Sequence, residues 1–159
     1  MNRILHYAFL LIALSCNYVI VAQSPNNCVN AVNVCNNQLA EKLDDGPGVQ
    51  ECPNGGCGCM LAGEKNTRWF RVVIQTAGVL EFTISPYNGN ADYDFAVWNR
   101  GAGGACPTNL SNPDRCNYAS PKAPTGIKGS GNGNTNSASG NLFSNSMNVN
   151  AGDVIYILV

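Results

Sequence analysis

Three runs of alternating apolar and polar residues follow one another between Arg68 and Trp98, and they restrict this chain more than any other feature. A side-chain period of two puts alternate residues on opposite faces of a strand, so such runs are half-buried sheet and not helix. Along Trp69 to Gln75, the residues Phe70, Val72 and Ile74 fall on one side, and Trp69, Arg71, Val73 and Gln75 on the other. Val79 to Ser85 repeats the pattern, with Leu80, Phe82 and Ile84 inward and Glu81, Thr83 and Ser85 outward. Thr76-Ala77-Gly78 links the two runs, a short Gly-bearing connection that predicts an antiparallel hairpin. The third run, Asp92 to Trp98, directs Tyr93, Phe95 and Val97 to the core and Asp94, Ala96 and Trp98 to water. Burying each large apolar side chain contributes roughly 1.5–3 kcal/mol, so these three segments are expected to carry most of the core.

The flanks read differently. The chain is rich in Asn, Gly and Ser, with 17 Gly and only 12% charged residues, which disfavours helices and suits short strands joined by long turns. From Ser24 to Gly63 the pattern is irregular: Val29, Val32 and Val34 fit either a strand or a single helical turn, and turns are expected at 44–48 and 53–56. This half is expected to lie over the sheets, fixed by cystines. Residues 117–146 carry almost no apolar anchor before Leu142-Phe143, which reads as a long loop, either binding or disordered, with disorder favoured. Met147 to Val149 is a short strand, Asn150-Ala151-Gly152-Asp153 a tight turn, and Val154 to Val159 a strand apolar on both faces, as in the middle of a sheet. No partner strand follows it. Because an unpaired apolar edge is avoided in soluble proteins, the reading is a domain truncated at its C-terminus and cut from a longer polypeptide.

Residues 1–22 fit a secretory signal peptide: Arg3, then a mostly apolar stretch from Leu5 to Leu14, then Ala22 before Gln23. A membrane anchor through Val19-Ile20-Val21 is opposed by Asn17 and by the polar Ser24-Pro25-Asn26-Asn27, and Ala13-Leu14-Ser15 matches poorly the box that would precede lipidation at Cys16. One β-sandwich domain over residues 23–159 remains, secreted or at the cell surface and not membrane-spanning. Its formal charge balance is near neutral (−1 for the whole chain), so no nucleic acid partner is expected.

The sole histidine, His6, lies in the signal. A Ser-His-Asp or Cys-His nucleophile system and a His-ligated zinc site each need an imidazole, so these are set aside. Beyond the signal stand Cys28, Cys35, Cys52, Cys57, Cys59, Cys106 and Cys116, an odd set that leaves one cysteine seeking a partner. Cys28 with Cys35, and Cys106 with Cys116, could each close a loop, although spacing does not fix connectivity. Cys52, Cys57 and Cys59 could form a metal knuckle, but in an exported, Gly-rich setting disulfides to separate partners are favoured.

Several elements together resemble a known family: Cys28-(x6)-Cys35, Thr67-Arg68-Trp69-Phe70, Gly78 to Ile84, Asp92 to Trp98, Arg115-Cys116-Asn117-Tyr118, and Val149 to Tyr156. They resemble the N-terminal β-sandwich domain of large exported surface proteins associated with gliding motility and type IX secretion. More loosely, they are similar to pre-peptidase C-terminal domains of secreted proteases. The resemblance implies an all-β, antiparallel, jelly-roll-like and non-catalytic sandwich, followed by further domains and a sorting segment. It also implies one more strand after Val159.

Asp92 and Asp94, two apart on a strand, could begin a structural Ca²⁺ site with Asn88 and Asn90, and with Asp114 and Asp153 if the fold brings them near. The plainer reading has them capping a turn. As a glycosidase pair they would flank a sugar from one side only, and no apolar pocket is implied to raise either pKa. Trp69 and Trp98, on outward faces, could form a sugar-stacking platform, with Tyr87 and Tyr118 in turns, unless loops cover the indoles. Asn109-Leu110-Ser111 is a glycosylation sequon that matters only in a eukaryotic route. The functional expectation is a disulfide-stapled, non-catalytic surface adhesion or interaction domain that binds a surface glycan or protein. The alternative is an accessory carbohydrate-binding module of a secreted enzyme, and a free-standing hydrolase is disfavoured.

Overall fold

The computed structural model describes residues 24–35, 46, 48–52, 56–60, 64, 66–87 and 89–159. The expected signal peptide, Cys16 and most of the turns at 44–48 and 53–56 lie outside them, as does Asn88. Among the described residues the regular structure is strands and one short 3-10 turn, Cys28–Asn30. The strands are β1 (Val32–Val34), β2 (Trp69–Val73), β3 (Gly78–Leu80), β4 (Phe82–Ile84), β5 (Phe95–Ala102), β6 (Arg115–Asn117), β7 (Thr125–Lys128), β8 (Thr135–Asn136), β9 (Phe143–Asn145), β10 (Met147–Val149) and β11 (Asp153–Leu158).

One sheet has six strands in the order β1-β2-β11-β5-β6-β8; a pair β10-β3 and a triplet β4-β7-β9 make up the rest. The class is all-β, but not purely antiparallel: β1 with β2, β6 with β8, and β7 with β9 pair in parallel. The expected β2–β3 hairpin is not formed. β2 pairs instead with β1 and with β11, while β3 pairs with β10 and β4 with β7. The apolar alternation was satisfied either way, because Leu80 reaches the interior from the β10-β3 pair and Phe82 and Ile84 from the β4-β7-β9 triplet.

β11 is the centre of the large sheet. All six of its residues are buried, and it pairs on one side with β2 (Leu158 opposite Trp69) and on the other with β5 (Tyr156 opposite Trp98). The mid-sheet position expected from its two apolar faces is what the structure shows. The unpaired edge is not there, since both partners precede β11 in the chain.

Each face of that sheet carries its own apolar cluster. On one side Phe95, Val97, Ile155 and Ile157 pack with Ile127, Met147 and Val149 of the smaller sheets, and with the partly buried Phe70, Leu80, Phe82 and Ile84. The shared interior expected for Phe70, Phe82 and Phe95 is therefore present. On the other side Trp69, Ala96, Trp98, Val154, Tyr156 and Leu158 pack under Cys28, Cys52, Cys57 and Leu110. The face of β5 assigned to water is thus a second core, and of the irregular N-terminal half the described Cys28, Cys52 and Cys57 lie over it.

The segment 117–146, expected as loop with disorder favoured, contains β7, β8 and β9. Side-chain amides and hydroxyls replace the missing apolar anchor. Asn117 Nδ2 donates to the Asn141 carbonyl (2.8 Å), Asn136 Nδ2 to Ser144 Oγ (3.0 Å), and Ser144 Oγ to the Cys116 carbonyl (3.2 Å). Asn117, Asn136 and Ser144 are all buried, and a buried polar group stays only where it is paired.

Candidate functional site

The two indoles proposed as a platform are inside the protein. Trp69 is 0% and Trp98 2% exposed, and their ring centroids lie 5.3 Å apart at 34°. They rise from β2 and β5, the two neighbours of β11, and meet over that strand beneath the cysteine-rich segment. The reason is the cover: Cys28, Cys52 and Cys57 close this face, so an outward position on the strand is not an exposed one. Among the described residues Trp98 Nε1 has no hydrogen-bond partner. The Trp69 indole lies beside the Glu64 carboxylate and, against the larger effect of burial, helps to lower its pKa. Of the turn tyrosines, Tyr87 is fully exposed and Tyr118 partly buried.

Three disulfides are formed: Cys28–Cys106, Cys52–Cys57 and Cys59–Cys116. The loops expected from Cys28–Cys35 and Cys106–Cys116 are not the ones closed. Residues Val32–Val34 leave Cys28 as a strand bound along β2, which carries Cys35 away and leaves it as an exposed free thiol. Cys57 and Cys59 do go to separate partners. Gly58 between them has φ +61 and approaches Pro113 so closely that a Cβ would stand 2.4 Å from its Cγ, so only glycine fits this turn without movement.

The acidic candidates separate into two places. Residues 91–94 precede β5 and are not strand, so the same-face argument for Asp92 and Asp94 does not hold. Asp94 is pushed up to about 6, first by burial and second by the charge of Asp92. Asp114 and Asp153 gather instead at Asn99: Asp114 Oδ2 accepts its backbone N–H (2.7 Å) and Asp153 Oδ2 its side-chain amide (2.9 Å). Asp153 also accepts the Asn150 N–H (2.9 Å), and these bonds, the backbone one first, hold its carboxyl below the usual range. Among the described residues no group of three or more His, Cys, Asp or Glu side chains is placed to hold a metal.

Among the described residues the three glutamates hold backbone. Glu51 accepts the Cys28 N–H (2.7 Å), Glu64 the N–H groups of Glu51 and Cys52, and Glu81 the Gly129 N–H. Burial pushes Glu64 up, against the pull of those two backbone bonds. These roles were not foreseen, because a carboxylate that caps a distant turn leaves no spacing signal in the sequence.

A shallow groove of about 430 Å³ lies between the end of β7 and the start of β9, with Pro121 and Asn141 on its walls. Lys128 Nζ sits 3.9 Å from the centre of the Phe143 ring and covers its face. The sequon Asn109 is exposed, and its Oδ1 accepts the Ser111 N–H at 3.0 Å. Among the described residues no helix is long and apolar enough to cross a membrane. Comparison of the chain with family models, curated proteins and solved structures finds no match.

Proposed function

We propose that this chain is a non-catalytic adhesion or interaction domain of a larger exported protein, built as a jelly-roll-like sandwich, acting at the cell surface or after secretion. The observation that carries the reading is the fate of the reactive side chains. Six cysteines are tied in three disulfides, and Glu51, Glu64, Glu81, Asp114 and Asp153 each accept backbone N–H groups. Disulfides persist in oxidising compartments, which supports export. Resemblance to surface domains associated with gliding motility supports the same reading, with further domains of the polypeptide and a surface glycan or protein as partners.

The carbohydrate-module alternative loses its two indoles, which are core, while the Phe143 face is occupied by Lys128 and Tyr87 stays exposed. The test immobilises the exported chain on beads and measures retention on cell-surface proteins, abiotic surfaces and a glycan array. Retention on proteins or surfaces supports the proposal. Retention on glycans alone favours the module, and product release from a hydrolase substrate panel overturns the non-catalytic reading.

A further inference from the structure

Lys128, the last residue of β7, is held in place without being neutralised. The parallel pairing of β7 with β9 sets Gly126 opposite Phe143 and Lys128 opposite Asn145. Gly126 has no side chain to lie over the ring, so the lysine two residues on folds back and sets its Nζ 3.9 Å from the ring centre. The Lys128 carbonyl accepts the N–H groups of Gly131 (2.8 Å) and Ser146 (3.0 Å), which fixes the backbone as well. Among the described residues no carboxylate forms an ion pair with the ammonium. Glu81 reaches the next residue, where its carboxylate holds the Gly129 N–H.

Lys128 lines the groove of about 430 Å³, and other polar groups there are unused too. Ser130 and Asn141 are exposed at the same groove, and among the described residues the Ser130 hydroxyl and the Asn141 side-chain amide make no hydrogen bond. Pro121 and the half-buried Leu142 give it apolar wall. Sites for small molecules combine such walls with a few convergent polar groups in a volume of roughly 300–1,000 Å³. We propose that this groove binds a uronate, the carboxylate-bearing sugar of acidic glycans. The carboxylate would meet Lys128 Nζ, the hydroxyls Ser130 and Asn141, and the C–H face of the ring Pro121 and Leu142.

Three features favour a uronate over other occupants. First, an ammonium with no counter-charge selects an anion, and a charge-assisted bond to a carboxylate is roughly twice as strong as a neutral one. Second, a hydroxyl and a primary amide each donate and accept, as sugar hydroxyls do, whereas a fully ionised anion without hydroxyls offers acceptors alone. Third, the groove is shallow, so a ring can lie in it while its neighbours along the glycan remain in solvent. Ring stacking, the role that burial denies to Trp69 and Trp98, is not required. Phe143 holds the lysine, and the lysine holds the sugar.

The inference goes beyond the adhesion reading and applies equally to the carbohydrate-module alternative. The probe is tri-galacturonate, titrated into the exported chain and followed by NMR. Saturable shifts are expected at residues 121, 128–130 and 140–143. The same trisaccharide with its carboxyls reduced to alcohols should bind about tenfold more weakly or worse, since a bond to a charged group is lost. Lys128→Gln should weaken binding about tenfold and Asn141→Ala about threefold, with unchanged β11 amide protection reporting an intact sheet. No saturable binding at millimolar probe overturns the proposal, as does equal binding of the reduced sugar or an unchanged affinity in Lys128→Gln. Tighter binding of tri-glutamate than of tri-galacturonate overturns it in favour of an acidic peptide. A chain that is retained on proteins or abiotic surfaces yet ignores the probe keeps the adhesion reading and overturns this one.

Discussion

The rings of Phe82 and Phe95 meet edge to face with centroids 5.5 Å apart, one from the small triplet and one from the large sheet, and so join the two layers. Such pairs add about 0.5–1.5 kcal/mol beyond area burial. Phe95 is 0% exposed, whereas Phe82 is partly covered. Phe95→Ala should therefore cost about 3–5 kcal/mol and Phe82→Ala distinctly less, read from urea unfolding midpoints at equal m-values.

The second core makes a different prediction for the tryptophans. Trp98→Ala should destabilise by about 3–5 kcal/mol, as core truncations do, and should shift the fluorescence of Trp69 to the red as water enters. A surface platform residue would leave the midpoint within about 0.5 kcal/mol of wild type. Equilibrium unfolding followed by fluorescence separates the two.

How far the sequence reached is visible in these residues. The period of two sorted the residues of β2, β4 and β5 into two faces, since alternation is local and survives any choice of sheet partner. It named the second face of β2 and β5 as solvent, where the structure has a second core. Pairing is not local: whether β2 joins β3 or β11 depends on contacts far along the chain, and the Gly-bearing link allowed both. The outward Trp98 looked solvent-facing because nothing in its strand announces that Cys52 and Cys57 fold over it. The Asn117, Asn136 and Ser144 bonds were illegible for the same reason, since amides and hydroxyls in an ordered network and in a disordered tract have one composition.

The disulfides differ in what they hold. Cys28–Cys106 spans 78 residues and Cys52–Cys57 only 5, so chain-entropy arguments give about 4.5 kcal/mol for the former and about 2 kcal/mol for the latter. Paired Cys→Ser variants should show this order in thermal midpoints. Cys35 should alkylate without denaturant and Cys28 should not, which peptide mapping of the adducts checks.

Asp94 predicts a pH dependence of definite sign. Its folded-state pKa, about 6, lies above the ordinary 3.8, so the folded protein binds this proton more tightly than the unfolded chain. The associated stabilisation is fully present below about pH 3.8 and is lost as pH rises through about 6. Asp94→Asn should thus exceed wild type at pH 7, by about 1 kcal/mol once solvent screening of a half-covered group is allowed for, and the gap should close near pH 4. Asp92→Asn should lower the Asp94 pKa, removing the second cause. Chelator is expected to leave the wild-type melting midpoint unchanged; a fall would restore the Ca²⁺ reading for Asp92 and Asp94.

Ser144 gives the sharpest test of the polar network. Its Oγ accepts from Asn136 Nδ2 and donates to the Cys116 carbonyl, at 0% exposure, so one hydroxyl ties β9 to both β6 and β8. Ser144→Ala leaves a buried donor and a buried acceptor unmatched, at a cost of about 1–3 kcal/mol. Ser144→Thr keeps the hydroxyl but adds a methyl where packing is closed, and should recover part of that loss at most. If the network orders 117–146, the Ala variant should speed amide exchange at Ala119 and Asn132 while leaving β11 amides slow. Equal loss of protection at both places would mean that the segment unfolds only with the whole protein, and that the amide-hydroxyl bonds do not define a separate cooperative unit.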